Sequence, residues 1–491
     1  MAAGQLGVGS RLPSTRVLAT ELGASRTTVS AVYDQLAAEG FIVTSPGRAA
    51  RVAAGPGAQA VGLAASRSAR MGQGSGSGQG SGGGAAVLST FGERVRAMVL
   101  APLPPEPPPP FDFLYGAVGA RDFPSVAWRR AYLGALWAVQ PRLYYAPPEG
   151  DEALRRALAG YLGRARGLHC SAEQVLVVHG SQQAIDLCAR VLLDAEHAFV
   201  FEDPGYLMAR RCFEAAGARA LDVPADEHGL VTDGLPRDRR VRLAYVTPSH
   251  QFPLGGTLPI ARRQALLAWA RRQRAWIVED DYDGEFRYGQ RPIDALASLD
   301  TEGRVVYVGT FSKALSPQLR LGYLVLPPAL VATFRKAKRL TDRHAPVLEQ
   351  RAMAALIDSG AYERHVRRMR RENERRRGAL LDAIARDLPE GTQVLGAAAG
   401  LHVVVRVPAL ASGDEAALVA NARQRGVGIY PLSALQAAGA PATAVPGPAF
   451  VMGYASLTVA QIGEGVRRLG EAVSALRAGA RRPRQVNSRR R

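Results

Sequence analysis

The chain has 491 residues, 47% of them hydrophobic, and a formal net charge of +19. That length allows two or three domains with ample core. No apolar run approaches the roughly 20 residues of a membrane-spanning helix, and no signal-peptide pattern is present, so a cytoplasmic protein is expected and membrane classes are excluded. Cys170, Cys188 and Cys212 lack metal or redox spacing and suit a reducing compartment, so no metal is expected. The positive charge suggests a polyanion partner. Its distribution is uneven: residues 1–55 hold five arginines against three acids, Glu363–Arg377 eight against three, and Arg481–Arg491 six with no acid. The middle run has helical spacing and reads as a solvated helix face.

Residues 1–55 read as helix, turn, helix and hairpin. Ser14 caps the first helix, which turns Leu18 inward and passes Glu21. Leu22-Gly23-Ala24 forms a turn, and Ser25 caps a second helix, Arg26 to Glu39, ended by Gly40. Val29, Val32, Tyr33, Leu36 and Ala37 give that helix an apolar stripe. Phe41–Val43, Pro46-Gly47 and Ala50–Val52 then make a two-stranded wing. The strings R-L-P-S-T-R and S-R-T-T-V-x-x-x-Y-x-x-L-x-x-E-G resemble the winged helix-turn-helix of GntR regulators. The resemblance implies double-stranded DNA as partner, with the second helix entering the major groove by its N-terminal end. Arg16, Arg26, Thr27 and Thr28 would face bases and phosphates, and Arg48 would reach from the wing; solvated arginines are the plainer alternative. The family has a further helix before this point, and the chain begins about where that helix would end, so the expected head lacks its first helix.

Residues 56–110 read as a linker. Gly72 to Gly84 is purely Gly, Ser and Gln, a flexible composition. Ala101 to Pro110 is proline-rich and stiffer, and Leu88 to Leu100 is a candidate short helix between them.

The body starts near Phe111. Strands at Gln174–Val178, Ala198–Phe201, Leu243–Val246, Trp276–Val278, Val305–Val308 and Gly322–Leu326 alternate with helices and predict a mostly parallel α/β sheet. The first runs into His179-Gly180-Ser181-Gln182, a glycine turn and helix start whose amides point at an anion. The second leads to Asp203-Pro204-Gly205-Tyr206, whose aromatic can stack on a flat ring. The fourth ends in Glu279-Asp280-Asp281-Tyr282-Asp283. A carboxylate there can keep a pyridinium protonated, although acidic strand ends also bind magnesium. The fifth ends in Gly309-Thr310-Phe311-Ser312-Lys313, with Arg320 at the mouth of the next strand. Ligands of open α/β sheets sit at such carboxyl ends. Lys313 can form a Schiff base with an aldehyde cofactor, or be a surface lysine. Thr310, Ser312 and Arg320 are groups that suit a phosphate.

In order, G-S-Q-Q, D-P-G-Y, T-P-S-H-Q-F-P-x-G, E-D-D-Y-D-x-E-F and T-F-S-K-x-L-x-P-x-L-R-L-G-Y resemble fold-type-I pyridoxal-phosphate (PLP) aminotransferases. The closer resemblance is to the aminotransferase-like domain of MocR-type regulators in the GntR superfamily, over roughly residues 111–475. It implies a PLP-binding large domain at 111–345, a small α+β domain at 346–478 and a basic tail at 479–491. Lys313 would carry PLP, Asp280 would hold the ring nitrogen and Tyr282 the ring 3-oxygen, and Tyr206 would stack. Ser181, Gln182, Thr310, Ser312 and Arg320 would hold the phosphate. His250, or Gln251, stands where aminotransferases place an asparagine near the 3-oxygen. Tyr145, in Tyr145-Ala-Pro-Pro-Glu-Gly150, would contact the phosphate of a partner subunit, which implies a homodimer. Val451 stands where aminotransferases hold the substrate carboxylate with an arginine. The expected function is a PLP-dependent transcription regulator that senses PLP itself or a small amine or amino-acid effector. The alternatives are an aminotransferase with a vestigial N-terminal segment and a DNA-binding protein whose body is only a dimerisation scaffold.

Overall fold

The computed structural model describes residues 6–53, 87–101, 103–104, 106–138, 144–289, 293–437 and 447–480. The Gly/Ser/Gln run at 72–84 and the arginine tail at 481–491 lie outside them. The chain divides into two units, Met1–Val87 and Leu88–Arg491.

In the first unit, α1 (Thr15–Leu22) and α2 (Arg26–Ala38) begin at serine caps. The Ser14 and Ser25 hydroxyls accept the N–H groups of Val17 and Thr28 at 3.3 and 3.1 Å, satisfying amides a helix start leaves orphaned. Gly23 takes a left-handed φ of 63° to turn the chain between them. β1 (Ile42–Ser45) pairs antiparallel with β2 (Arg48–Val52) as the wing. Leu12, Ala19, Val29, Tyr33, Ile42, Ala50 and Val52 form the core, and the Tyr33 hydroxyl donates to the Pro13 carbonyl at 2.8 Å. Val32, expected in the buried stripe, is 50% exposed. The buried face of α2 is therefore narrower than its apolar stripe.

In the second unit, α3 (Thr90–Ala97) packs on the body, where Arg94 Nε donates to the Ala215 carbonyl at 2.9 Å. Part of the expected linker is therefore docked structure. After β3 (Phe111–Asp112), α4 (Ser125–Trp137) and α5 (Glu152–Arg166) come β4 (Val175–Val178), α6 (Ser181–Leu192), β5 (Ala198–Asp203), α7 (Leu207–Ala216), β6 (Arg219–Asp226) and β7 (Gly229–Leu230). β8 (Val241–Val246), α8 (Ile260–Gln273), β9 (Trp276–Asp281), β10 (Val305–Thr310) and β11 (Gly322–Val325) complete the sheet, in the order β4-β11-β10-β9-β8-β5-β6-β7. β6, β5, β8, β9 and β10 run parallel, whereas β11 is antiparallel to both its neighbours. Continuous apolar strands are what a sheet covered on both faces requires. Leu176 and Val178 pack with α6, α7 and Phe334 of α9 (Pro328–Asp342). Val175 and Val177 pack on the other side with Leu154 and Leu158 of α5.

α10 (Val347–Asp358) and α11 (Ala361–Asp387) follow, then β12 (Gln393–Leu395), β13 (His402–Arg406), α12 (Glu415–Gln424), β14 (Val427–Gly428), β15 (Tyr430–Pro431), β16 (Ala449–Gly453) and α13 (Val459–Ala480). The antiparallel sheet β12-β13-β16-β15 has its own core of Leu380, Val403, Phe450, Met452 and Ile462. α10, expected in this smaller layer, packs instead with α5: Met353 and Ile357 share a cluster with Leu154 and Leu158. The arginine run in α11 is only partly a solvated face. Arg370 and Arg377 donate to the carbonyls of Glu285 and Ala397, and Arg376 pairs with Asp122 at 2.7 Å.

Candidate functional site

Beyond the carboxyl ends of β4, β8, β9 and β10 lies a cavity of about 1040 Å³. Ser181, Gln182, Tyr206, Asp280, Tyr282, Thr310, Ser312, Lys313 and Arg320 all line it. Lys313 follows β10, and its Nζ donates to the Gly116 carbonyl at 3.0 Å. Burial pulls its pKa down against the opposing pull of Asp283 and Asp280, which favours the neutral, nucleophilic amine. Gly116 has φ +81°, and a Cβ there would stand 2.8 Å from Nζ.

Asp280 is almost at the end of β9 and fully buried. Its Oδ2 accepts the Tyr245 hydroxyl at 2.6 Å, whereas its Oδ1 has no hydrogen-bond partner among the described residues. Burial pushes its pKa up to about 7, with the Tyr245 hydrogen bond pulling the other way. A buried oxygen left without a donor costs free energy, and a cationic ring N–H would satisfy it.

At the other end, α6 starts at Ser181 without a side-chain cap, because Gly180 (φ 76°) holds the N-cap. Its first amides are thus open to an anion. Thr310 Oγ1 donates to Ser312 Oγ at 2.9 Å. Arg320, in the left-handed region at φ 47°, donates from Nη2 to the His179 carbonyl at 2.8 Å. A Cβ on Gly180 would meet that guanidinium at 3.1 Å. The Tyr206 hydroxyl reaches Gln182 Oε1 at 3.5 Å, and burial raises its pKa to about 12.

Three expected residues stand elsewhere. His250 is buried behind Tyr282, outside the lining, with Nδ1 2.8 Å from the Tyr282 hydroxyl and 3.0 Å from Asp283 Oδ2. Gln251 holds its own loop: Nε2 donates to the Pro204 and Phe252 carbonyls at 2.9 and 2.7 Å, and Oε1 accepts the Leu254 N–H at 3.0 Å. Neither His250 nor Gln251 therefore lines the cavity of the described residues. Tyr145 is 58% exposed with Arg343 over its ring at 4.3 Å, outside the cavity of its own chain. Val451 is fully buried in β16 and packs with Phe252, Val404, Leu432 and Leu435, so the clamp position is apolar.

The sequence reading missed Tyr245, Gly116 and the aromatic wall of Tyr115, Phe252 and Tyr430. Tyr115 lies 5.6 Å from Phe252 and 5.8 Å from Tyr430 between ring centroids. Tyr245 was legible only as an in-strand residue, and the others belong to segments distant in the chain. In the first unit, Arg16, Arg26, Thr27, Thr28 and Arg48 are all exposed. The Thr28 hydroxyl also bonds the Ser25 hydroxyl at 2.7 Å, so part of its capacity goes to the cap. Among the described residues no helix is long and apolar enough to cross a membrane.

A lysine-bearing cavity at the strand ends of this mixed sheet, beside a smaller antiparallel layer, defines an aminotransferase-like protein with a helix-turn-helix unit ahead of it. Residues 118–469 match the family of class I and II aminotransferases, and residues 1–52 match the bacterial regulatory proteins of the gntR family. The chain is 35% identical over 487 residues to the probable rhizopine catabolism regulatory protein MocR of Rhizobium meliloti, covering 98% of this chain and 93% of that one. It is 33% identical to the pyridoxine biosynthesis transcriptional regulator PdxR of Corynebacterium glutamicum, over 88% of this chain and 85% of that one. Among solved structures it is similar to LysN, the alpha-aminoadipate aminotransferase of Thermus thermophilus complexed with N-(5'-phosphopyridoxyl)-L-leucine, at TM-score 0.67 and 32% identity over 75% of this chain and 93% of that one. The chain belongs to the MocR-type transcriptional regulators of the GntR superfamily, in which a DNA-binding helix-turn-helix is fused to an aminotransferase-like domain. The class I and II aminotransferase family is PLP-dependent.

Proposed function

We propose that this regulator holds PLP on Lys313 and couples the state of that site to its grip on double-stranded DNA. The orphaned Oδ1 of Asp280 carries the reading, since a protonated ring nitrogen is the donor it lacks. The open amides of α6, with Thr310, Ser312 and Arg320, suit the phosphate at the opposite end. Bound there, PLP supplies an aldehyde that captures primary amines. Lys313 Nζ would accept and return the proton, Tyr206 would cover the ring, and Tyr145 would serve the partner of a homodimer. The exposed Arg16, Arg26, Thr27, Thr28 and Arg48 are the groups we assign to DNA.

The apolar surroundings of Val451 leave no forked cation there to grip an α-carboxylate. This favours an effector that does without that clamp, either PLP itself or a simple amine, over rapid amino-acid turnover. The name of the PdxR relative agrees with a role in vitamin B6 synthesis.

The test is a visible spectrum of the purified protein with added PLP, repeated after borohydride and with Lys313→Ala, alongside DNA binding with and without PLP. A yellow band lost in the variant, and DNA affinity that changes with PLP only in the wild type, are expected. A protein that stays colourless, or one that rapidly transaminates amino acids, would overturn the reading.

A further inference from the structure

Tyr282 and Asp283, which line the cavity, form a hydrogen-bonded group with His250 outside the lining, and the group has a defined proton order. His250 is 3% and Asp283 2% exposed. Both Asp283 oxygens face His250 Nδ1, at 3.2 and 3.0 Å. A bare Nδ1 would set its lone pair against a buried carboxylate, so Nδ1 carries the proton. The Tyr282 oxygen lies 2.8 Å from the same nitrogen. It therefore shares that N–H as an acceptor, and its own proton is left to point away from His250. Tyr282 lines the cavity, so that direction is open to it. His250 Nε2 is buried with no partner among the described residues, which costs least in the neutral Nδ1–H tautomer because only an acceptor then goes unmet.

The geometry points to Asp283 and His250 as positioning residues that lock the Tyr282 hydroxyl proton toward the cavity, where it donates to the phenolic oxygen of the cofactor. This rests on the PLP reading above. A cation site is the other use of the cluster His250, Asp283 and His402, whose ligand atoms lie within 4.8 Å of one another. The relay accounts for the contacts of His250 with Asp283 and Tyr282 without an ion. Asp280, Asp283, His402, Tyr206 and Arg320 also face the cavity with Lys313, so the test removes the His250 donor and leaves those charges in place.

The pH titration of the absorption band of the lysine-bound cofactor reads the hydroxyl directly, because donation to the phenolic oxygen favours loss of the proton shared with the lysine nitrogen. In His250→Phe the N–H that holds the Tyr282 proton toward the cavity is gone, and the nearby Asp283 carboxylate competes for that proton. The midpoint then rises by about one unit, a tenfold change in the equilibrium. Tyr282→Phe gives the same rise, the double variant adds nothing, and His250→Asn, whose amide still donates, restores the wild-type midpoint. An unshifted midpoint in His250→Phe, or additive shifts, overturns the relay. Nitrogen-15 spectra of histidine-labelled wild-type protein, assigned with His250→Asn, provide a check that does not depend on the Phe variant folding. They should report a protonated Nδ1 and a bare Nε2 on His250, and the opposite tautomer sinks the proposal. A protein that forms no band removes the cofactor reading itself, which the tautomer measurement keeps distinct from failure of the relay.

Discussion

Asp280 is placed where solvation is withheld and only half of its hydrogen-bonding capacity is met. Burial raises its pKa to about 7, and does the same for the buried Glu202 and Glu279 and the half-buried Glu285. An unfolded carboxyl releases its proton near pH 4, roughly, so between about 4 and 7 the folded state binds more protons than the unfolded one. The stability these groups contribute is complete below the unfolded value and is lost as pH rises through the folded value. The cofactor-free protein should melt lower at pH 8 than at pH 5.5, and Asp280→Asn should flatten that slope by one group's share. Thermal melts across pH measure this, and equal slopes in the two proteins would remove Asp280 from the account. A cationic ring nitrogen beside Asp280 reverses its share, so bound PLP should flatten the wild-type slope as well.

At the scale of elements, the start of α6 depends on one glycine. Gly180 combines a φ of +76° with a Cβ direction that runs into Arg320. Gly180→Ala carries left-handed strain of about 1 kcal/mol or more and pushes the guanidinium from its place. PLP affinity should fall about tenfold or further, as titrated by absorbance, while α6 itself stays helical. An unchanged affinity would mean that the phosphate lies elsewhere. α11 shows how composition misleads at this scale. Its arginines read as a solvated face, yet Arg370, Arg376 and Arg377 tie the helix to the carbonyls of Glu285, Ala455 and Ala397. Helical spacing was legible, but the partner carbonyls come from loops far away in the chain.

For the whole molecule, Tyr145 is the residue that one chain leaves without work at its own cavity. Under the dimer reading it serves the neighbouring subunit, so Tyr145→Phe should weaken PLP binding about tenfold, roughly the loss of one charge-assisted hydrogen bond. Subunits carrying Lys313→Ala mixed with subunits carrying Tyr145→Phe should regain one complete site per mixed dimer, measured as recovered wild-type-affinity binding. No recovery, with dimers present, would count against the shared site.

The sequence alone determined the order of the elements and the chemistry of the strand ends. Short-range rules suffice for serine caps, glycine turns and apolar runs that finish in Asp280, Lys313 and the residues around them, and the motif order carried the family. Only the tertiary structure decided which groups meet. Tyr245 and Asp280 are 35 residues apart, Gly116 and Lys313 are 197 apart, and the Tyr282–His250 contact spans 32. It moved His250 behind the wall, turned Gln251 into a loop brace and exposed Val32. The physical reason is that hydrogen-bond satisfaction and burial are properties of the assembled layers, whereas periodicity and capping are properties of neighbours along the chain.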